Sequence, residues 1–371
     1  MQRGEAVTPA AEWLCDNFPV VEEQVRAIQE GLPAANRRLV PLLARGPGQG
    51  CARVSSLAWA YVAHTDSRFE LAGLRGFVRA YQGRQPLTMG ELWAIPLNLR
   101  ATLVENLRRL AEAMVRERAA RMAADRLADS LLGAGGPAAA PAPDASRRLE
   151  ARLRGFEAAP LATAFAAQLA QRLRGLDARA RPVQEWLDRR LAAQAATADA
   201  MVHAEHQRQG AMNVTVRNVV TSMRAISALD WCDFFEDVSL VEERLRQAAG
   251  YAAMDFTTRD AYRHAVEDLA RHGPLPELEI AGLAVERAGG EPAGSRRGDV
   301  GYRLIGEGRA AWERELGLRA GWKARARRLY TRAGLTGYLG GIAALTAAML
   351  AAPLALARAA ASGAAALAGL A

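Results

Sequence analysis

Between residues 333 and 357 the chain carries no charged side chain, and just before that stretch stand Arg319, Lys323, Arg325, Arg327, Arg328 and Arg332. This pairing constrains the polypeptide more than any other feature. As an α-helix, 25 residues reach about 37 Å at about 1.5 Å per residue, enough to cross a hydrocarbon core with some tilt. Leu335, Leu339, Ile342, Leu345, Met349, Leu350, Leu354 and Leu356 supply insertion energy, while Trp322 and Tyr330 suit an interfacial belt. The expectation is a transmembrane helix at 333–357 behind a basic juxtamembrane collar at 299–332. The positive-inside rule then places residues 1–332 in the cytoplasm. The competing reading is a buried, Ala-rich helix, because Ala and Gly make up much of the segment. Residues 359–371 are again uncharged but too short to span, and read as a truncated second hydrophobic segment.

The net charge of +8 over 371 residues is mostly this collar. The implied partner is a membrane surface with anionic headgroups, and no RNA- or DNA-binding signature accompanies the charge, so no nucleic acid is expected. Cys15, Cys51 and Cys232 are far apart without a CxxC pair, which fits a reducing compartment rather than a disulfide framework. The first residues, MQRGEAVTPAAEW, lack the apolar core of a signal peptide.

The rest of the chain reads as helices. Thr8-Pro9 with Glu12 opens the first, whose apolar side is Leu14, Phe18, Val21, Val25 and Ile28. Residues 54–64 suggest a buried helix, and 71–81 an amphipathic one ending at Gly83. Thr88 and Glu91 have the spacing of a capping box for a long helix over 89–129, which holds Leu92, Trp93, Ile95, Leu99, Leu103, Leu107, Leu110 and Met114 on one side and in which Pro96 should introduce a kink. Residues 132–146, LGAGGPAAAPAPDAS, form a linker poor in burial-competent side chains. Helices are then expected at about 149–174, 183–209, 213–247 with a break near Asp230, and 257–270, the last capped by a hydroxyl and Asp260. The Gly-rich stretch 286–298 reads as a loop. This organisation gives an N-terminal helical subdomain at 1–131, a second at 147–285, and a mainly α fold, since no segment sustains period-two alternation.

Candidate chemistry is sparse. His203 and His206 lie three apart on a helix, a spacing zinc can use, but no further His or Cys has a recognisable spacing to them; a surface pair is the favoured reading. Asp230, Asp233, Glu236 and Asp237 surround Trp231, Phe234 and Phe235. Carboxylates of this kind hold Mg²⁺ or Mn²⁺ against a diphosphate, yet neither an Asp-x-Asp triplet nor a preceding strand is present, so a capped helix with packed aromatics is favoured. Gly46-Pro47-Gly48-Gln49-Gly50 lacks the Lys-Ser/Thr ending of a phosphate loop, and Gly306-Glu307-Gly308 is too short for one. No catalytic, cofactor-binding or metal-ligating residue is assigned.

Several longer segments do carry a resemblance. They are Thr8-Pro-Ala-Ala-Glu-Trp-Leu with Asp16-Asn-Phe; Ala63-His-Thr-Asp-Ser-Arg-Phe69; Leu87-Thr-Met-Gly-Glu-Leu-Trp-Ala-Ile-Pro96; Ala204-Glu-His-Gln-Arg-Gln209; Arg217-Asn-Val-Val-Thr-Ser-Met-Arg224; Phe234-Phe-Glu; Met254-Asp-Phe-Thr-Thr-Arg-Asp260 with Tyr262-Arg263; and Val300-Gly-Tyr-Arg-Leu-Ile305. In this order they resemble the region before the glycosyltransferase domain of bacterial cyclic β-1,2-glucan synthases. The resemblance implies an inner-membrane enzyme that polymerises and cyclises glucose from UDP-glucose with Mg²⁺ or Mn²⁺. The present chain is then expected to be its non-catalytic N-terminal region, without cofactors of its own and with the glycosyltransferase domain of the same enzyme as partner. The transferase's metal-binding acidic motif and its QxxRW-type motif are absent, so no site residue is carried over. The alternative is a stand-alone, membrane-tethered helical interaction module.

Overall fold

At several helix starts a side chain accepts one of the first free backbone N–H groups. The computed structural model describes residues 8–31, 41–46, 48–132, 150–174, 180–292, 294–318, 339–347 and 349–351. Among these residues no strand is present, and an isolated bridge joins Leu42 to Ala52. The fold is mainly α, as expected. Contacts group the chain into two units, Met1–Ser239 and Leu240–Ala371.

In the first unit, α1 (Pro9–Asp16) and α2 (Phe18–Gly31) replace the single N-terminal helix expected from the sequence. They part at Asn17, whose side-chain amide donates to the Trp13 carbonyl at 2.7 Å and whose Oδ1 accepts from Arg224 at 2.6 Å. Thr8 has extended backbone but makes no side-chain cap. The expected apolar face of α2 is covered only in part. Its fully buried residue is Gln24, which donates to Ser227 and accepts from Arg100, while Phe18 stays 52% exposed.

Helices α3 (Arg53–His64) and α4 (Leu71–Gln82) lead into α5 (Met89–Leu132). The capping box forms as its spacing predicts: Thr88 Oγ1 accepts the Glu91 N–H at 3.2 Å, and Glu91 Oε2 accepts the Thr88 N–H at 2.9 Å. The same carboxylate takes a two-pronged contact from Arg53 of α3, at 2.7 and 2.5 Å, with Glu91 fully buried. Pro96 does not end the helix, which continues through it. Leu92, Ile95 and Leu99 on either side are all buried, so packing holds the turn that the proline weakens.

After a 3₁₀ turn at Arg154–Phe156 come α6 (Thr163–Leu173), α7 (Arg181–Ala192), α8 (Ala198–Ala228) and α9 (Trp231–Val238). The helices expected at 149–174 and 183–209 are therefore both interrupted. The second breaks at Ala195, φ 53°, because Thr197 Oγ1 caps the Ala200 N–H and starts a new helix. Helix α6 packs on α5 and α8. With α7 they enclose an Ala-, Leu- and Phe-rich core with Ala124, Leu127, Phe165, Leu169, Trp186 and Leu191 inside it.

The second unit holds α10 (Leu240–Leu245), α11 (Phe256–His272), α12 (Glu277–Gly289), α13 (Val300–Leu304) and α14 (Arg309–Glu315). Asp255, not Asp260, caps α11, accepting the Thr258 N–H at 2.8 Å. Helix α12 runs into the stretch read as a 286–298 loop. Gly301 is required sterically, since a β-carbon there would overlap the Tyr262 hydroxyl.

Of the linker 132–146, Leu132 closes α5 and the rest lies outside the described residues. The same holds for the collar cations from Arg319 to Arg332 and for 359–371. Within the expected membrane segment, 339–347 and 349–351 are helical, with Leu339, Ile342, Leu345, Met349 and Leu350 each 48–73% exposed. No helix among the described residues is long and apolar enough to cross a membrane.

Removing one partner of a buried ion pair leaves the other charge without compensation. Glu91→Leu is expected to cost about 3–5 kcal/mol in chemical denaturation, and the double variant Arg53→Met/Glu91→Leu to recover much of that loss. Equal destabilisation in the double variant contradicts this account.

Candidate functional site

One dense polar arrangement in the first unit is the turn His64-Thr65-Asp66-Ser67-Arg68-Phe69, which links α3 to α4. Asp66 and Ser67 have φ of 47° and 62°, a left-handed pair that side chains other than glycine adopt at a cost of roughly 1–2 kcal/mol each. Two distant helices hold it there. From α8, Thr215 Oγ1 donates to Asp66 Oδ1 at 2.8 Å and the Asn218 amide to the Asp66 carbonyl at 3.0 Å. Ser222 Oγ donates to the Ser67 carbonyl at 2.7 Å and accepts the Phe69 N–H at 2.8 Å. From α5, the Asn106 amide donates to Ser67 Oγ at 2.7 Å. Ser67 itself is buried. These groups satisfy one another, so the turn is a clasp between helices.

The acidic aromatic stretch lies on α9. Asp230 caps the helix, accepting the Cys232 N–H at 2.8 Å. Asp237 pairs with Arg75 at 2.6 Å, and its carbonyl takes Arg79 at 2.6 Å, while Gln82 donates to the Val238 carbonyl at 2.7 Å. These α4 side chains thus satisfy the last carbonyls of α9. Phe234 and Phe235 are buried, Phe235 stacks on Trp93 at 4.5 Å, and the Trp231 ring N–H donates to the Ile226 carbonyl. Asp230 and Asp237 are committed to a cap and an ion pair, and no three His, Cys, Asp or Glu side chains among the described residues form a group that fits a metal ion.

His203 and His206 both sit on the exposed side of α8, with His203 against Gln207 at 2.9 Å. The glycines of 46–50 make a tight turn: Gly46, Gly48 and Gly50 have φ of 90°, 93° and 81°, and the Leu43 N–H donates to the Cys51 carbonyl across it. Gly306 and Gly308 pack against Tyr302.

One buried cluster escaped the sequence reading. In the second unit Glu242, fully buried, accepts from the Tyr251 hydroxyl at 2.7 Å, Arg263 at 2.8 Å, Arg246 at 3.0 Å and Arg259 at 3.2 Å. Burial pushes the Glu242 carboxyl up, but hydrogen bonds from Arg263, Tyr251 and Arg246 outweigh it and hold the pKa below its ordinary value. Burial, then Glu242, pushes the Tyr251 phenol up. Arg259 and Arg263 stand among the quoted segments, but nothing in their spacing marked them as core residues.

Two outcomes follow from these clusters. Ser222→Ala strips the partner from a buried carbonyl and from the Phe69 amide, and is expected to cost about 1–3 kcal/mol with faster hydrogen exchange at Phe69. Because the folded Glu242 pKa is depressed, its contribution is present above the ordinary carboxylate range and lost as pH falls through the folded value. Glu242→Gln should therefore weaken the second unit at neutral pH and flatten the acid limb of its stability curve; an unchanged limb contradicts the assignment.

No family model matches the chain. It is 35% identical over 323 residues, 85% of its length, to the cyclic beta-(1,2)-glucan synthase NdvB of Rhizobium meliloti (strain 1021). It spans 11% of that protein's length. Across most of its residues the chain is therefore related to part of a cyclic β-(1,2)-glucan synthase, as the motif segments implied.

Proposed function

We propose that this chain is a non-catalytic helical region of a cyclic β-(1,2)-glucan synthase, lying before the glycosyltransferase domain and positioning that domain at the bacterial inner membrane. The observation that carries this reading is 35% identity over 85% of the chain to one such synthase. Its distinctive polar residues are spent on structure: Asp230 on a cap, Asp237 on an ion pair, Glu242 on three arginines. The reaction then belongs to other parts of the enzyme, where UDP-glucose and Mg²⁺ or Mn²⁺ are handled. No residue here is assigned to hold them.

The anchoring half of the proposal rests on the uncharged run at 333–357 and the cations preceding it. It is supported by the apolar side chains that the helical residues 339–347 and 349–351 leave open to their surroundings. In this reading the segment inserts into lipid, the collar meets anionic headgroups, and residues 1–332 face the cytoplasm beside the transferase domain. No nucleic acid takes part.

Incubated with UDP-glucose and Mg²⁺ or Mn²⁺, the chain on its own is expected to form no glucan, and formation of glucan refutes the non-catalytic assignment. In cell fractionation the full chain should require detergent for release, whereas a variant ending at residue 332 should need none. Release of both by salt alone removes the anchor from the proposal.

A further inference from the structure

Facing turns of α5 and α8 bring together Glu117, Arg121, Glu205 and Arg208. Arg121 donates to Glu205 Oε1 at 2.9 Å, and Gln209 donates to the same oxygen at 2.8 Å. Arg208 approaches Glu117 from α8 only to 3.7 Å, too far for a hydrogen bond. Glu205 is 4% exposed, and its second oxygen, Oε2, is buried with no hydrogen-bond partner among the described residues. A buried carboxylate oxygen without a donor costs free energy, so its surroundings favour any neighbour able to supply one. Arg121 and Gln209 are both spent on Oε1. Glu117, one turn before Arg121 on the facing side of α5, supplies a donor once it carries a proton.

We propose that Glu117 and Glu205 form a proton-binding pair between α5 and α8, in which the protonated Glu117 carboxyl donates to Glu205 Oε2. The proton comes from solvent and returns to it. Protonation removes the repulsion between two carboxylates and satisfies the orphan oxygen, so acid tightens this seam and alkali loosens it. Burial, and after it the charge of Glu205, raises the Glu117 pKa against the opposing effects of Arg208 and Arg121.

The other charged groups near this seam are engaged or distant. On α8, His203 rests on Gln207 and His206 is exposed. From α6, Arg172 is taken by Asp125 and Asp129. The turn bearing His64, Asp66 and Arg68 meets α5 at Asn106, and α2, with Glu22, Glu23, Arg26 and Glu30, meets it at Arg100 and Leu97. Arg53 of α3 is paired with Glu91, and α9, with its acids, meets α5 at Trp93. Along α5, Asp125 lies about two turns from Glu117, and the contacts at Asn106, Arg100, Leu97 and Trp93 lie about three turns or more from it.

Because the folded pKa of Glu117 is raised, the stability it contributes is complete below the ordinary carboxylate range and is lost as pH rises through the folded value. Carboxyl-selective NMR titration of the full chain in detergent should find Glu117 titrating above its ordinary value, and lower in Glu205→Gln. Titration at or below the ordinary value overturns the proposal. Glu117→Gln, which keeps a permanent donor without the charge, should raise Tm by about 2–4 °C near pH 8 and change it little near pH 4.5. A lower Tm near pH 8, or failure to fold, means that the ion pair with Arg208 is what matters, and also overturns it.

Discussion

Two long helices in contact can slide along each other unless a directional contact pins their register, because apolar packing alone changes slowly with displacement by a turn. In the first unit one such pin is Ser67, beside the direct bonds from Arg100 to Ser227 and from Arg121 to Glu205. Asn106 of α5 and Ser222 of α8 both bond to this one buried residue, which belongs to neither helix. The left-handed conformation of Asp66 and Ser67 is the geometry that lets the backbone carbonyl reach α8 while the hydroxyl reaches α5. Strain of this kind persists where the surroundings over-determine it, and hydrogen bonds donated by Asn106, Thr215, Asn218 and Ser222, with the Phe69 N–H donating to Ser222, do so here.

The clasp also propagates to α9. Phe69, held through its N–H by Ser222, lies 6.2 Å from Trp231 at the start of α9, and Trp231 is tied back to the Ile226 carbonyl at the end of α8. At the other end of α9 the α4 side chains Arg79 and Gln82 take its final carbonyls. A helix of eight residues is too short to be stable alone. Its aromatic core and its two satisfied ends account for its presence in the fold.

Much of this was legible in the sequence, and what was not has a physical cause. The capping box at Thr88 and Glu91 was readable because both partners are local. Of the stripe Leu92, Trp93, Ile95, Leu99, Leu103, Leu107, Leu110 and Met114, all but Trp93 and Leu110 are buried, because burial follows the helical period. Helix ends failed where the deciding residue competes with a good helix-forming context, as at Thr197, whose cap interrupts a run of alanines. The face of α2 failed because a polar residue, Gln24, turned inward to meet Arg100 and Ser227, contacts 76 and 203 residues away. Arg53, Glu242 and Arg263 were missed for the same reason: a charged residue reads as surface until its partner's position is known. An arginine opening the apolar run 53–62 was the one available hint.

The same dependence on distant partners runs through the segments that resemble a glucan synthase. The segments that carry the resemblance contain Asp66, Ser67, Glu91, Asn218, Ser222, Arg259 and Arg263, and the structure uses every one of them to join elements far apart in sequence. Such residues tolerate replacement poorly for reasons of geometry and desolvation alone. Distinctive polar residues in a helical body thus need not mark a reaction. The property they secure is a fixed arrangement of helices, which is the property a positioning region requires.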